Sequence, residues 1–401
     1  MNKTTICIFP AAIWIGVALL LNGCWDRTEI NDMAIITAAS IDKIDDRGIE
    51  LSLQVFIPRA LGGGGGMGGG PSSGGQKLTL VRSGKGHNIA DAMSKLQSKL
   101  PRKVFWGHCK VFVLGEQFAR NGVKEEMDFL ARHPQPRERA YMYVSKGKAS
   151  ETLSVLPPLE RYSAEVMRGF SDMQIGMKVT MKDFLVSLNT DGGAAALPML
   201  GISHPQKGEK KTEKIPFVIG TGVFKGDKLV GSISMRLTRG VLWMRKELEK
   251  ATITVKPRSA NEGYITMNPS HQSIKLTPHI RNGNWLMTLK IKTEGDLVQN
   301  GTNLDPMNPD LLRVMEQAVQ ESIANRIEDA LEKVQKEMKA DIMGFAEEFH
   351  RIYPKQWEEV QKNWDEVFPT VQVNMNIQVN IRRPGLGTVP AAVPEDEVKK
   401  Q

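Results

Sequence analysis

Apolar positions in this chain alternate with polar ones in some stretches and recur every three or four residues in others, which separates strands from helices at the outset. Residues 33–41 form a β-prone apolar run. Ile49, Leu51, Leu53, Val55 and Ile57 alternate with polar residues beyond the turn Asp45-Asp46-Arg47-Gly48, so the two runs predict a β-hairpin. A third strand is predicted over 78–82. Ile89, Met93, Leu96 and Leu100 then recur at helical spacing up to Pro101, which cannot continue the helix. A strand over 110–114, a helix over 116–131 and a strand over 139–144 complete a first unit of strands packed with two helices.

Residues 151–200 predict shorter helices set between loops, from the run Phe184-Leu185-Val186-Ser187-Leu188 followed by Gly192-Gly193 and Pro198. Residues 217–224 and 228–235 predict a second hairpin around Lys225-Gly226-Asp227, and strands are predicted near 252–255, 273–276 and 285–292. The longest helix follows. Asn308 suits its N-cap and Pro309 its first turn, and Leu312, Met315, Val319, Ile323, Ile327, Leu331, Val334, Met338, Ile342 and Phe345 mark one face. Unbroken over 310–349 it would span about 60 Å, with Gly344 the expected interruption. A further helix carries Trp357 and Trp364, one heptad apart and so on one face, where a core role is expected. Val371, Val373, Met375, Ile377, Val379 and Ile381 alternate strictly with polar residues, the mark of a strand with one buried face.

The fold class predicted is α+β, with several domains of mixed, mostly antiparallel sheets packed with helices, and a long C-terminal helix. The units are 24–150, 151–235 and 236–383, followed by a disordered tail over 384–401. Residues 62–75 hold ten Gly and predict a flexible loop, and the Lys-rich stretch 207–214 predicts an exposed linker. At 401 residues, 41% hydrophobic and 24% charged, the composition is that of a globular chain. Lys and Arg exceed Asp and Glu by 53 to 45 without a long basic block, so the excess alone does not argue for nucleic acid, and no nucleic-acid partner is expected; it does suit an acidic membrane surface.

Three cysteines, Cys7, Cys24 and Cys109, exclude a disulfide scaffold and any Cys-rich metal site. Residues 1–23 read as a signal segment: a basic head at Lys3, a largely apolar run over 6–21, then Leu21-Asn22-Gly23 before Cys24. Gly23-Cys24 resembles a bacterial lipobox, with Asn22 standing where a small residue is usual. The resemblance implies S-diacylglycerol and N-palmitoyl groups on Cys24, a stable anchor where one acyl chain would not suffice. Cys7 would leave with the signal. Cys109, in the apolar run 109–114, is then expected to be a buried small hydrophobe rather than a reactive thiol.

Catalytic constellations are missing from the sequence. There is no Gly-x-Ser-x-Gly elbow, no His-Glu-x-x-His and no Cys-x-x-Cys, and no Gly-Lys-Ser/Thr follows the Gly-rich stretch, where Lys85 is succeeded by Gly86. His108 and Cys109 are neighbours, but on the predicted strand their side chains would point to opposite faces. The seven histidines are scattered, as in His133-Pro134 and His204-Pro205, and read as solvated or satisfied loop residues. No catalytic residue, metal site or cofactor is therefore expected.

Four segments together resemble the Ger(x)C family, the lipoprotein C subunits of nutrient germinant receptors in endospore-forming bacteria. They are Gly23-Cys24-Trp25-Asp26-Arg27 with Glu29-Ile30-Asn31-Asp32; Gly107-His108-Cys109-Lys110-Val111; 222–231 running on to Thr238-Arg239-Gly240-Val241-Leu242-Trp243; and 345–368 with Tyr353-Pro354, Trp357 and Trp364-Asp365. The resemblance implies a three-domain lipoprotein without catalytic residues, on the outer face of the spore inner membrane. Its implied partners are a polytopic A subunit, a transporter-like B subunit and membrane lipid. The alternative is a substrate-binding lipoprotein that delivers a nutrient to a transporter, which should show two doubly wound βαβ lobes facing a cleft.

Overall fold

The computed structural model describes residues 29–45, 48–58, 78–203, 214–248, 252–383 and 398. The signal segment 1–23, Cys24, the Gly-rich stretch 62–75, most of the Lys-rich stretch 207–214 and nearly all of the tail 384–401 lie outside them.

The first part of the chain runs β1 (Met33–Asp45), β2 (Gly48–Phe56), β3 (Thr79–Gly86), α1 (Ile89–Gln97), β4 (Lys103–Phe105), β5 (Val111–Gly115), α2 (Glu116–Asn121), α3 (Lys124–Arg132), β6 (Tyr141–Ser145), α4 (Ala149–Ser154), α5 (Ser163–Asp172), α6 (Met181–Leu188), β7 (Ala194–Ile202), β8 (Pro216–Lys225), β9 (Lys228–Ser234) and α7 (Met235–Arg245). Its strands form one sheet in the order β3-β2-β1-β5-β6-β7-β8-β9, with β4 beside β1. The hairpins β1-β2 and β8-β9 are antiparallel as expected, while β1, β5, β6 and β7 run parallel. Strands β7 to β9, drawn from residues 151–235, extend the sheet begun by residues 24–150.

Parallel strands in the middle of a sheet are covered on both faces, and this explains the unbroken apolar run of β5. Phe112 and Leu114 enter the main core, while Val111 and Val113 enter a smaller core with Ala38, Tyr143, Leu153 and Met167. A bulge in β1 between Ile36 and Ala38 shifts the alternation, so Ala34, Ile36, Ala39 and Ile41 all reach the main core. The polar groups buried with these strands are satisfied across elements. Asp42 accepts from Ala149 N and Ser150 N at 2.7 and 2.8 Å, closing the start of α4, and Gln54 Nε2 donates to Leu153 O and Ser163 Oγ, each at 2.9 Å.

The second part holds β10 (Ile253–Val255), β11 (Ile265–Arg281), β12 (Asn284–Asn300), α8 (Pro309–Leu331), α9 (Phe345–Ile352), α10 (Pro354–Val360), α11 (Trp364–Val367) and β13 (Gln372–Arg383), with sheet order β10-β11-β12-β13. Antiparallel ladders carry most of the pairing in the molecule, and β13 returns parallel to β12. In β13, Ile377, Val379 and Ile381 are buried while the residues between them are exposed, as the alternation predicts. The fold is thus α+β with mixed, mostly antiparallel sheets.

Four local expectations change. The helix expected over 116–131 is two helices, because Gly122 takes φ +121° and the amide of Val123 bonds to Asp227 O at 3.0 Å. The stretch 194–202, expected among loops, is the buried strand β7. The strands near 273–276 and 285–292 are the inner parts of two 17-residue strands joined at Asn282-Gly283, both with positive φ. Pro269 and Pro278 mask β11 in the sequence, yet among the described residues the pairing of β11 with β10 covers only 265–267, so neither proline interrupts that ladder. The long helix also ends early. Asn308 caps α8 by accepting from Asp310 N and Leu311 N, but after 23 residues the helix passes into a π-turn over Glu332–Glu337 and reverses at Lys339, φ +52°. Its length is about 35 Å, and Gly344, φ +81°, opens α9 instead of breaking α8.

Candidate functional site

Two of the four signature segments meet along the seam between the two sheets. The 222–231 segment forms the β8-β9 hairpin, whose tip residue Gly226 takes φ +55° and donates its amide to Gly193 O at 2.6 Å. Beside it, Lys225 Nζ lies 3.0 Å from Asp365 Oδ2 in α11, within the 345–368 segment. A Cβ on Gly231 would sit 2.9 Å from Met338 Cε. Gly240 in α7 lets α8 approach so closely that a Cβ there would lie 2.3 Å from Arg326 O. Trp243, on the same helix, is fully buried. Arg245 Nη1 completes this side of the seam by donating to Ile342 O at 2.9 Å.

The opposite side is built on Asp341, which is 5% exposed. Its carboxylate accepts from Gly344 N and Phe345 N at 3.1 Å, Ala346 N at 2.7 Å and Trp364 Nε1 at 3.0 Å. Three of those donors belong to the first turn of α9, so Asp341 supplies a cap that Gly344 has no side chain to make. Burial, with the nearby Glu347 charge second, pushes the Asp341 carboxyl up to about 6 despite these donors. Around it Trp364 packs edge-on against Trp357 at 4.9 Å and Trp285 at 5.8 Å, and Trp285 against Phe349 at 4.7 Å. Both expected tryptophans are therefore core residues, 1% and 3% exposed, although a short 3₁₀ turn separates α10 from α11. His350 stacks on Trp357 and pairs with Asp191 at 2.5 Å, a second tie to the loop before β7.

The 107–111 segment lies elsewhere: residues 107–110 form the turn between β4 and β5, and Val111 opens β5. Cys109 is buried, its thiol donating to Val111 O at 3.5 Å, and burial pushes it up to about 12, while His108 is exposed. The two form no nucleophile and base pair, and the thiol is buried as expected. His133 is half-buried and accepts from Gln135 N at 3.3 Å, burial lowering its pKa. His204 and Cys24 lie outside the described residues. Sequence reasoning missed Asp341, which looked like one polar residue inside a continuous helix; its spacing of three residues ahead of Gly344 is the signal that could have shown a cap. No His, Cys, Asp or Glu cluster of three or more that could hold a metal occurs among the described residues. No helix among them is long and apolar enough to cross a membrane.

A two-sheet α+β protein whose signature residues tie the sheets together is the class this geometry defines. Comparison with known proteins agrees along the chain. Residues 26–202 match the family described as spore germination protein N-terminal domain, and residues 219–385 match spore germination B3/GerAC like, C-terminal. The chain is 29% identical over 390 residues to the putative spore germination protein YfkR of Bacillus subtilis (strain 168), covering 96% of this chain and 98% of that one. It is 28% identical over 406 residues to spore germination protein KC of the same bacterium, covering 96% and 97%. The crystal structure of the GerBC protein superposes with a TM-score of 0.57 at 20% identity, covering 86% of this chain and 97% of that one, and shares the fold. The chain belongs to the Ger(x)C family of spore germination proteins.

Proposed function

We propose that this chain is the non-catalytic, lipid-anchored C subunit of a nutrient germinant receptor, held on the outer face of the spore inner membrane with A and B membrane subunits. The observation that carries the reading is the match of both family domains, in order, over residues 26–202 and 219–385. The anchor is Cys24, bearing diacylglycerol and palmitate after removal of residues 1–23. An assembly role is supported by the use of the signature residues as packing and tie points in the seam, and by a Cys109 thiol too buried to act as a nucleophile. Transport delivery has less support, since the sheets are not two doubly wound lobes.

The test is a tagged full chain expressed in spores, with and without Cys24→Ala. The wild type should incorporate palmitate, remain in the inner-membrane fraction and copurify two membrane subunits. The variant should lose label and membrane retention, and germination through its own receptor should fail while other receptors respond. Normal membrane retention and labelling of the variant would defeat the anchor, and absence of membrane partners would defeat the receptor role.

A further inference from the structure

The 107–111 segment takes no part in the seam, but it lines a cavity of about 210 Å³ together with the loop before β6 and with α5. His108, Lys110, Arg137, Arg139 and Arg168 converge there, and Asp172 is the one carboxylate in the lining. Asp172 is already committed. Arg168 Nη1 reaches it at 2.5 Å and Tyr141 Oη donates to it at 2.8 Å. Glu138, between the two loop arginines, does not line the cavity. The side chains of Lys110, Arg137 and Arg139 make no ion pair among the described residues, and Arg168 Nε is a buried donor with no hydrogen-bond partner.

Lys110, Arg137 and Arg139, in surplus over the Arg168–Asp172 pair, form an anion site, and the geometry of the donors narrows the anion. Guanidinium forks from separate segments can share the several oxygens of a phosphate, whereas a carboxylate offers two. The cavity is smaller than the roughly 300 Å³ of pockets that enclose a whole drug-sized ligand, so it suits one ionic group. We propose that this cavity binds a phosphate group, supplied either as free phosphate or as the headgroup of an anionic phospholipid. Only the headgroup source rests on the anchoring proposed above.

Inorganic phosphate titrated calorimetrically into the full chain in a maltoside detergent should bind saturably. Arg137→Gln with Arg139→Gln should weaken binding by about tenfold or more with thermal unfolding unchanged, both side chains being exposed. Lys290→Gln with Lys292→Gln removes the same charge from exposed positions on β12 and should leave affinity unaltered. In nanodiscs containing phosphatidylglycerol, loss of the phosphate titration assigns the site to a headgroup, and an undiminished titration assigns it to free phosphate. Absence of saturable binding, full affinity in the arginine variant, or an equal loss in the Lys290 and Lys292 control overturns the proposal. So does binding of an aspartate-rich peptide without any phosphate binding, which would give the site to a protein partner. Failure of membrane anchoring in spores leaves the detergent titration unaffected, so the two readings fail separately.

Discussion

The indole Nε1–H of Trp364 donates to Asp341 Oδ2 at 3.0 Å, joining a buried carboxylate to the centre of an aromatic cluster. The same carboxylate accepts three backbone amides of the α9 start, so one side chain holds both the helix entry and the tryptophan. A buried donor that loses its acceptor costs about 1–3 kcal/mol. Asp341→Ala strands four at once and should lower stability in urea by several kcal/mol, with Trp fluorescence reporting a loosened cluster. Unfolding indistinguishable from the wild type would show that the amides find other acceptors.

The raised carboxyl also sets a pH dependence. The Asp341 pKa is about 6 when folded, against 3.8 as its ordinary value, so the folded state binds the proton more tightly than the unfolded chain. Its contribution to stability is therefore present below about pH 4 and is lost as pH rises through about 6. Unfolding midpoints measured between pH 4 and 7 should fall relative to those of Asp341→Asn across that window and run parallel above it. Parallel profiles throughout would place the carboxyl at its ordinary value.

Cys109 should resist iodoacetamide at pH 8 in the folded protein and react on unfolding, because its thiol is buried and pushed up to about 12. Cys109→Ala should germinate normally. Rapid alkylation of the native chain, read by peptide mass spectrometry, contradicts this.

Gly240→Ala sets two effects against each other. Alanine favours a helix over glycine by about 1 kcal/mol, but its Cβ would lie 2.3 Å from the backbone oxygen of Arg326. Backbone cannot step aside as a flexible side chain can, so the clash should win and destabilise the α7-α8 contact by about 1–3 kcal/mol. Gly240→Val should be worse. Limited proteolysis is the complementary measurement, and a stability gain in Gly240→Ala would show that α8 moves away freely.

Lys225→Glu is a test of docking only with a control, because it places a carboxylate beside Asp365. The pair is half-exposed, so folding should change by less than about 1 kcal/mol. Adding Asp365→Lys restores the pair. Partner copurification lost in the single variant and regained in the double variant assigns Lys225 to the seam; loss in both assigns it to a partner surface.

Much of this was legible in the chain. Local periodicity determined the hairpins at 33–56 and 216–234, the cap at Asn308, the one-faced strand at 372–383 and the burial of Trp357 and Trp364, because each depends on spacing within a few residues. The order of the four signature segments was enough to suggest the family. The tertiary structure alone decided that β7 to β9 join the first sheet, that Lys225 meets Asp365, and that Asp341 faces Trp364. It also decided the break of α8: the apolar face continues through Val334, Ile342 and Phe345, and all three are buried, but Val334 lies in the π-turn, Ile342 in the turn that follows and Phe345 in α9. A periodic pattern states that a residue must be buried, whereas the partner that buries it is set by how whole elements pack.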